Sequence, residues 1–266
     1  MPKSSYYEWQ SKLKTVDKIN DELIEKIRDI VEESKGRYGY RRVTKILKNF
    51  GYTVNHKRVL RIMKEYNMTC TKFNRKNRKY KSYKGTVGKI ADNVLDRNFH
   101  VSEPNQFWVT DVSEFKVNGQ KLYLSPILDL FNMEIVSFSL SSKPTTSFTN
   151  DSLLEALKIL PVNNALYVHS DQGFHYQHES WVSILKSHSV SQSMSRKGNC
   201  IDNSPMENFF SLLKQEMYYG RKFKNSDELK KEIIEYIDWY NHDRIKEKLG
   251  WISPICFREN YKKAMI

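Results

Sequence analysis

Apolar residues recur at helical spacing in the first third of the chain and gather into β-branched and aromatic runs in the middle. Residues 17–34, DKINDELIEKIRDIVEES, put Ile19, Leu23, Ile27 and Ile30 on one face of a helix that Gly36 ends. YRRVTKILKNFG predicts a second helix with Val43, Ile46 and Leu47 inward, stopped at Gly51. TVNHKRVLRIMKEYNM predicts a third, capped by Asn55, with Val59, Ile62 and Met63 inward. Residues 68–104 lack periodicity and read as a linker ending at Pro104. FWVTDVSEFKV, KLYLSPILDLF and EIVSFSLSS then read as strands, the first two joined by the hairpin signal Asn118-Gly119. Phe148 to Leu160 is a helix, ALYVHSD a strand, HESWVSILKSH a helix and VSQSM a fifth strand. Two more helices follow, the last capped by Ser226 with Glu228 in its first turn. The order βββ-α-β-α-β-α-α predicts a mixed five-stranded sheet flanked by helices, behind an all-α segment.

Charge changes the reading of the helical part. The chain carries a formal +13, with 25 Lys/Arg against 11 Asp/Glu in residues 1–100 and 19 against 20 afterwards. From Tyr66 to Ala91 no acidic residue interrupts a run that includes Lys72, Arg75, Lys76, Arg78 and Lys79, interleaved with Phe73, Tyr80 and Tyr83. That pattern suits a phosphate-backbone contact; the alternative is a basic linker. The third helix carries Lys57, Arg58, Arg61 and Lys64, which suits the second helix of a helix-turn-helix entering a major groove, or a bundle with a basic surface. No apolar run is long enough for a membrane helix, and no apolar leader is visible. Cys70, Cys200 and Cys256 are far apart with no C-x-x-C pair, which fits a reducing compartment, so the expected place is the cytoplasm, at the nucleoid.

Three carboxylates fall at suggestive places. Asp111 lies in the first strand, Asp171 just past ALYVHS, and Glu207 at the start of the helix that follows SMSRKGNCIDNSP. Lone carboxylates beside a sheet are costly unless paired or cation-bound, and three acidic oxygen donors suit Mg²⁺, with Mn²⁺ as substitute. Each also has a structural reading. Asp111 can be a surface residue on a half-buried strand, and Asp171 can open the turn SDQG. Ser204-Pro205-Met206-Glu207 has the form of a capping box with proline at the first helical position. A second candidate site, where His169, His175 and His178 surround Asp171 and His175-x-x-His178 could bind zinc, has no cysteine nearby.

Spacing favours the catalytic reading. Asp171 and Glu207 are separated by 35 residues, and Lys214 follows Glu207 by seven, two turns on along the same helix face. WVTDVSEF, HSDQGFHY, SMSRKGNCIDNSPMENFFSLLKQE and YNHDRIKEKLGWISPICFR, in that order, resemble the DDE transposases of the bacterial insertion-sequence-3 family, and SSYYEW to YNM resembles that family's helix-turn-helix segment. The resemblance spans nearly the whole chain.

It implies an RNase-H-like catalytic core similar to that of retroviral integrases, with Asp111, Asp171 and Glu207 as the metal-binding triad. The implied reactions are hydrolysis at the element's end and transfer of the exposed 3′-hydroxyl to another phosphodiester; no protein nucleophile is required. Lys214 matches the basic residue that contacts the end. Arg196, Lys197 and Asn199 are candidate DNA contacts in the loop before Glu207. Asn241, Arg244 and Leu249 match a C-terminal signature whose role does not follow from the residues. Expected domains are 1–67 (helix-turn-helix), 68–104 (basic linker), 105–220 (catalytic core) and 221–266 (helical extension). Expected partners are double-stranded DNA, further copies of the chain and, because family members often continue upstream of MPKSSYYEW, the product of an upstream reading frame. Two other readings stay open: a DNA-binding remnant without activity, and a nuclease without strand transfer.

Overall fold

The computed structural model describes residues 3–72, 90–160 and 165–265. The chain divides into two units, Met1–Lys76 and Asn77–Ile266.

The first unit holds α1 (Lys3–Glu33), α2 (Tyr40–Asn49) and α3 (His56–Glu65). Helix α1 begins well before residue 17, because residues 3–16 contain no glycine or proline to stop it. It ends where Lys35 and Gly36 turn left-handed and the Gly36 N–H reaches the Val31 carbonyl at 2.8 Å. Leu23, Ile27 and Ile30 of α1, Val43 and Leu47 of α2, and Val59, Ile62 and Met63 of α3 are buried; Ile46 is only half-buried. Asn55 caps α3, its side-chain oxygen accepting from Lys57 N–H at 2.9 Å.

In the second unit the Asn118-Gly119 turn sets the sheet. Both residues have positive φ (46° and 79°), the geometry of a two-residue type I′ hairpin. It joins β2 (Ser113–Val117) to β3 (Gln120–Asp129), preceded by β1 (Phe107–Thr110) and followed by β4 (Glu134–Ser141). Strands β5 (Tyr167–Ser170) and β6 (Ser191–Met194) run parallel to β1. The sheet therefore has six hydrogen-bonded strands where five were expected. The extra one arises because β1 and β2 are two halves of one ribbon. Thr110↔Ile127 and Ser113↔Leu124 keep one register against β3, leaving Asp111 and Val112 opposite Pro126 and Ser125. Pro126 has no N–H to donate, and the ladder breaks there. The ribbon order is β4, β3, β2/β1, β5, β6, an RNase-H-like mixed sheet.

Side chains alternate across it. On one face Trp108, Ile127 and Val168 pack with α4 (Thr146–Leu157) and α6 (Glu179–Ser187), which follows the short α5 (Phe174–Gln177). On the other, Val109, Leu124 and Leu128 pack with α7 (Ser204–Leu213) and α8 (Ser226–His242). Helix α7 runs into a π turn, Lys214–Tyr218. Helix α8 is capped by Asn225, not Ser226: the Asn225 side chain accepts from Glu228 N–H at 2.9 Å. Ser253 caps α9 (Pro254–Ala264). Among the described residues no helix is long and apolar enough to cross a membrane.

The C-terminal signature residues fasten this helical layer. The Asn241 amide bonds both backbone groups of Ile135, accepting at 3.0 Å and donating at 2.9 Å. Arg244, 2% exposed, forms a two-pronged pair with the buried Glu216 of the π turn, at 2.6 and 3.0 Å, and Tyr236 donates to the same carboxylate at 2.8 Å. Leu249 is buried close by in sequence. Truncating one member of such a pair strands the other charge in the interior. Arg244→Met should therefore lower unfolding stability by about 3–5 kcal/mol in urea denaturation. A loss under about 1 kcal/mol would mean that Glu216 is not held by this pair.

Candidate active site and nucleic-acid interface

Parallel pairing of β1 with β5 brings two aspartates together. The register Val109↔His169, carried two residues on, sets Asp111 beside Asp171 at the carboxyl ends of neighbouring strands. Each is pinned by a backbone N–H just after it. Asp111 Oδ1 accepts from Val112 at 2.7 Å, and Asp171 Oδ1 accepts from Gly173 at 2.8 Å. Among the described residues the second oxygen of each carboxylate accepts no hydrogen bond. Burial pushes the Asp111 carboxyl well above the usual range; the charges of Asp171 and Glu207 push it further, and Lys214 opposes them. Burial also raises Asp171, against the Gly173 hydrogen bond and the charge of His175.

Glu207 approaches from α7, on the sheet face that carries Val109. The expected capping box is not formed. Ser204 is already helical (φ −58°, ψ −30°), and the N-cap position falls to Asn203, which makes no side-chain cap. The helix thus begins one residue earlier than a Ser204 cap would place it, and Glu207 sits in its fourth position. Asn203 instead donates its amide to the Thr110 carbonyl at 3.0 Å, tying the helix start to the residue before Asp111. Lys214 is half-buried, with its ammonium 5.0 Å from the Phe115 ring centroid.

The loop residues divide. Lys197 is exposed and Asn199 half-buried. Arg196 is bound to the buried Asp202 through Nε and Nη2, both at 2.9 Å, so its guanidinium already has an anionic partner while remaining half-exposed. The histidines of the alternative zinc site serve separate tasks. His175 bonds the Pro144 carbonyl at 2.9 Å, and His178 caps α6. Among the described residues no three His, Cys, Asp or Glu side chains yet stand at metal-holding distance. Two pinned, half-buried carboxylates with unbonded oxygens, repelling each other, nevertheless have the donor chemistry that a hard divalent cation takes.

Tyr176 and Gly173 carry no signal of this site in the sequence, and His169 reads there only as a histidine close to Asp171. Tyr176 is buried within 3.5 Å of Thr110 Oγ1, and burial with the charges of Asp111 and Asp171 holds its phenol protonated. His169 is fully buried between Ser193 (2.8 Å) and Ser195 (3.0 Å), and burial pushes its imidazole down to about 4, so it is neutral near pH 7. Its serine partners in SQSMS carry no motif that announces this. Gly173 is needed for contact rather than for its backbone angles: a Cβ there would lie 2.8 Å from Asp171 Oδ1.

In the helical unit Lys57, Arg61 and Lys64 are exposed along one face of α3. Arg58 turns the other way, half-buried, and donates to the Asn20 side chain of α1. Arg75, Lys76, Arg78 and Lys79 lie outside the described residues.

Residues 18–77 match the HTH-like domain family, and residues 101–200 and 207–261 each match an integrase core domain family. Together these define an enzyme of the DDE transposase class. The chain is 46% identical to the transposase InsK for insertion sequence element IS150 of Escherichia coli (strain K12), over 97% of this chain and 90% of that protein. It is 34% identical to the transposase for insertion sequence element IS904 of Lactococcus lactis subsp. lactis, over 89% of this chain and 93% of that one. The HTLV-2 integrase catalytic core domain in complex with magnesium aligns at 17% identity and a TM-score of 0.45, over 58% of this chain and 97% of that one. The chain belongs to the insertion-sequence-3 family of transposases.

The close approach of Gly173 to Asp171 has a consequence that can be measured apart from activity. Alanine is allowed at its backbone angles (φ −63°, ψ 147°), so Gly173→Ala should fold with little loss of melting temperature. A crystal structure should show the Asp171 carboxylate displaced. An unmoved carboxylate at wild-type distance from residue 173 would contradict the close-approach role.

Proposed function

We propose that this transposase cuts the ends of its insertion sequence and joins the exposed 3′-hydroxyl to another DNA phosphodiester, with Asp111, Asp171 and Glu207 as the catalytic and metal-binding triad. The observation that carries this reading is the Asp111–Asp171 pair: half-buried, pinned by adjacent N–H groups, and within electrostatic reach of Glu207 and Lys214. Magnesium, or manganese in its place, would be held by these carboxylates and would supply positive charge to the phosphodiester undergoing in-line displacement. The protein's own share is positioning. Asp111 and Asp171 are fixed to rigid strand ends, and Glu207 rides on a helix that closes from one side. Lys214, braced on Phe115, is suited to hold a phosphate of the element's end, and Lys197 and Asn199, in the loop before Glu207, would add further contacts. Arg196 serves this surface only as far as Asp202 leaves its half-exposed guanidinium available.

We assign residues 1–67 to end binding, with Lys57, Arg61 and Lys64 as the exposed face of α3 and Arg58 bracing it from behind. The basic segment 68–104, with Arg75, Lys76, Arg78 and Lys79, follows the phosphate backbone; 105–220 form the catalytic core and 221–266 its helical extension. Joining two ends calls for more than one copy on DNA, together with the upstream-frame product where the element encodes one, in the cytoplasm at the nucleoid.

Labelled end duplexes test this directly. Asp171→Asn should fold at least as stably as wild type at neutral pH, because burial raises this carboxyl and its ionised form therefore costs stability above the folded pKa. It should lose both cleavage and joining, and equal products from the two proteins would sink the triad. Replacing Lys57, Arg61 and Lys64 with alanine should weaken binding to all duplexes and reduce the salt slope by about 0.9 for each phosphate left unneutralised. An unchanged slope would remove α3 from the interface.

A further inference from the structure

The loop that delivers Glu207 is built around a charge that faces away from the reaction. Asp202 is fully buried. Its Oδ2 accepts from the Arg196 backbone N–H at 3.0 Å, from Arg196 Nε at 2.9 Å and from the Asn93 amide at 3.2 Å. Its Oδ1 accepts from Arg196 Nη2 at 2.9 Å and from Arg97 Nε at 2.8 Å. Five donors on one carboxylate satisfy nearly every lone pair it has. Arg196, ahead of Arg97, holds this carboxyl well below the usual carboxylate range, so it is ionised at any working pH.

These bonds do two separate things. Those from Arg196 close residues 196–202 upon themselves. Those from Asn93 and Arg97 fasten the closed loop to the stretch ahead of β1, which is itself fixed to the sheet. The Val94 and Leu95 N–H groups donate to Ser193 Oγ at 3.0 and 3.3 Å, Met194 N–H donates to the Asp92 carbonyl at 3.2 Å, and the Leu95 side chain lies in the core. The next residue after Asp202 is Asn203, whose amide holds the Thr110 carbonyl. Helix α7 starts immediately afterwards without a side-chain cap. An uncapped helix start is only loosely fixed by local chemistry: Pro205 confines it to the first turn without choosing one residue. Here the tertiary anchor chooses it, and the choice sets both the depth and the rotation of Glu207.

We infer that Asp202 is a positioning residue for the transposase reaction: a buried anion whose bonds to Arg97, Arg196 and Asn93 fix where α7 begins and so hold Glu207 towards Asp111. The inference rests on the reading of Glu207 as the third member of the triad. It also makes the stretch 92–97, which reads as linker in the sequence, a working part of the active-site loop.

The full-length chain carrying Asp202→Asn tests it. The amide keeps the size of the side chain but turns one acceptor into a donor that faces guanidinium groups. Three readouts are expected to move together. Amide hydrogen exchange across residues 204–208 should quicken by about tenfold. Mn²⁺ affinity, measured by calorimetry, should weaken by about tenfold. The Mg²⁺ concentration for half-maximal joining of end duplexes should rise, while their KM stays near wild type. Arg97→Gln, at a half-exposed position, should shift all three in the same direction by less, and should add little when combined with Asp202→Asn. It carries the test alone if Asp202→Asn does not fold. Wild-type exchange and wild-type Mn²⁺ affinity in the folded variant would overturn the proposal. So would a uniform loss of activity at every Mg²⁺ concentration with exchange faster throughout the chain, the signature of general destabilisation. Asp171→Asn, run alongside, separates the two levels. Joining abolished there but untouched by Asp202→Asn defeats the anchor alone; joining retained there defeats the triad.

Discussion

Two carboxylates at the ends of neighbouring parallel strands repel each other, and much of the α/β unit serves to keep them from moving apart. The repulsion is visible as the upward push on Asp111 from burial and from Asp171. Nothing in the local sequence would maintain that arrangement. It persists because the strands are locked by pairing on both sides and because Val112 and Gly173 each pin one oxygen. A fold that selected only for stability would place apolar or paired groups there. The unrelieved pair is thus the feature of the unit best explained by a reaction rather than by folding.

The helical layer behind the sheet completes the restraint. Glu207 and Lys214 stand on one continuous stretch whose far end, the π turn, is anchored through Glu216 to Arg244 and Tyr236. Its near end is anchored through Asn203 to Thr110 and through Asp202 to Arg97 and Arg196. Both anchors are buried, charged and saturated with hydrogen bonds, which makes them stiff. The stretch between them is held like a bar at two points, with its acidic residue near one end and its basic residue near the other.

Much of this was legible in the residues, and the exceptions have a common cause. The Asn118-Gly119 hairpin, the alternation of strands and helices after Leu160 and the Asn55 cap are local signals, and local physics decides them. The failures occur where a distant interaction overrides a local one. Ser204-x-x-Glu207 has the form of a capping box, but the bond from Asn203 to Thr110 begins the helix at Ser204. Ser226 looks like a cap, yet Asn225 one position earlier takes the role. Residues 92–97 show no periodicity because their bonds go to Ser193 and Asp202, about a hundred positions away. Arg196 reads as a phosphate contact, and its tie to the buried Asp202 is a further, tertiary interaction that the residues do not announce. The split of the first strand is a milder case: Pro126 was in plain view, but its effect on Asp111 depends on a register that only the folded sheet fixes.

On the proposed reading the Asp111–Asp171 pair exists to receive a divalent cation. Soaking crystals of the chain with Mn²⁺ and recording anomalous scattering tests it most directly. A strong peak is expected between the second oxygens of Asp111 and Asp171, with Glu207 drawn towards it. Well-ordered carboxylates with no peak between them at saturating Mn²⁺, or a peak held by other residues alone, would contradict it.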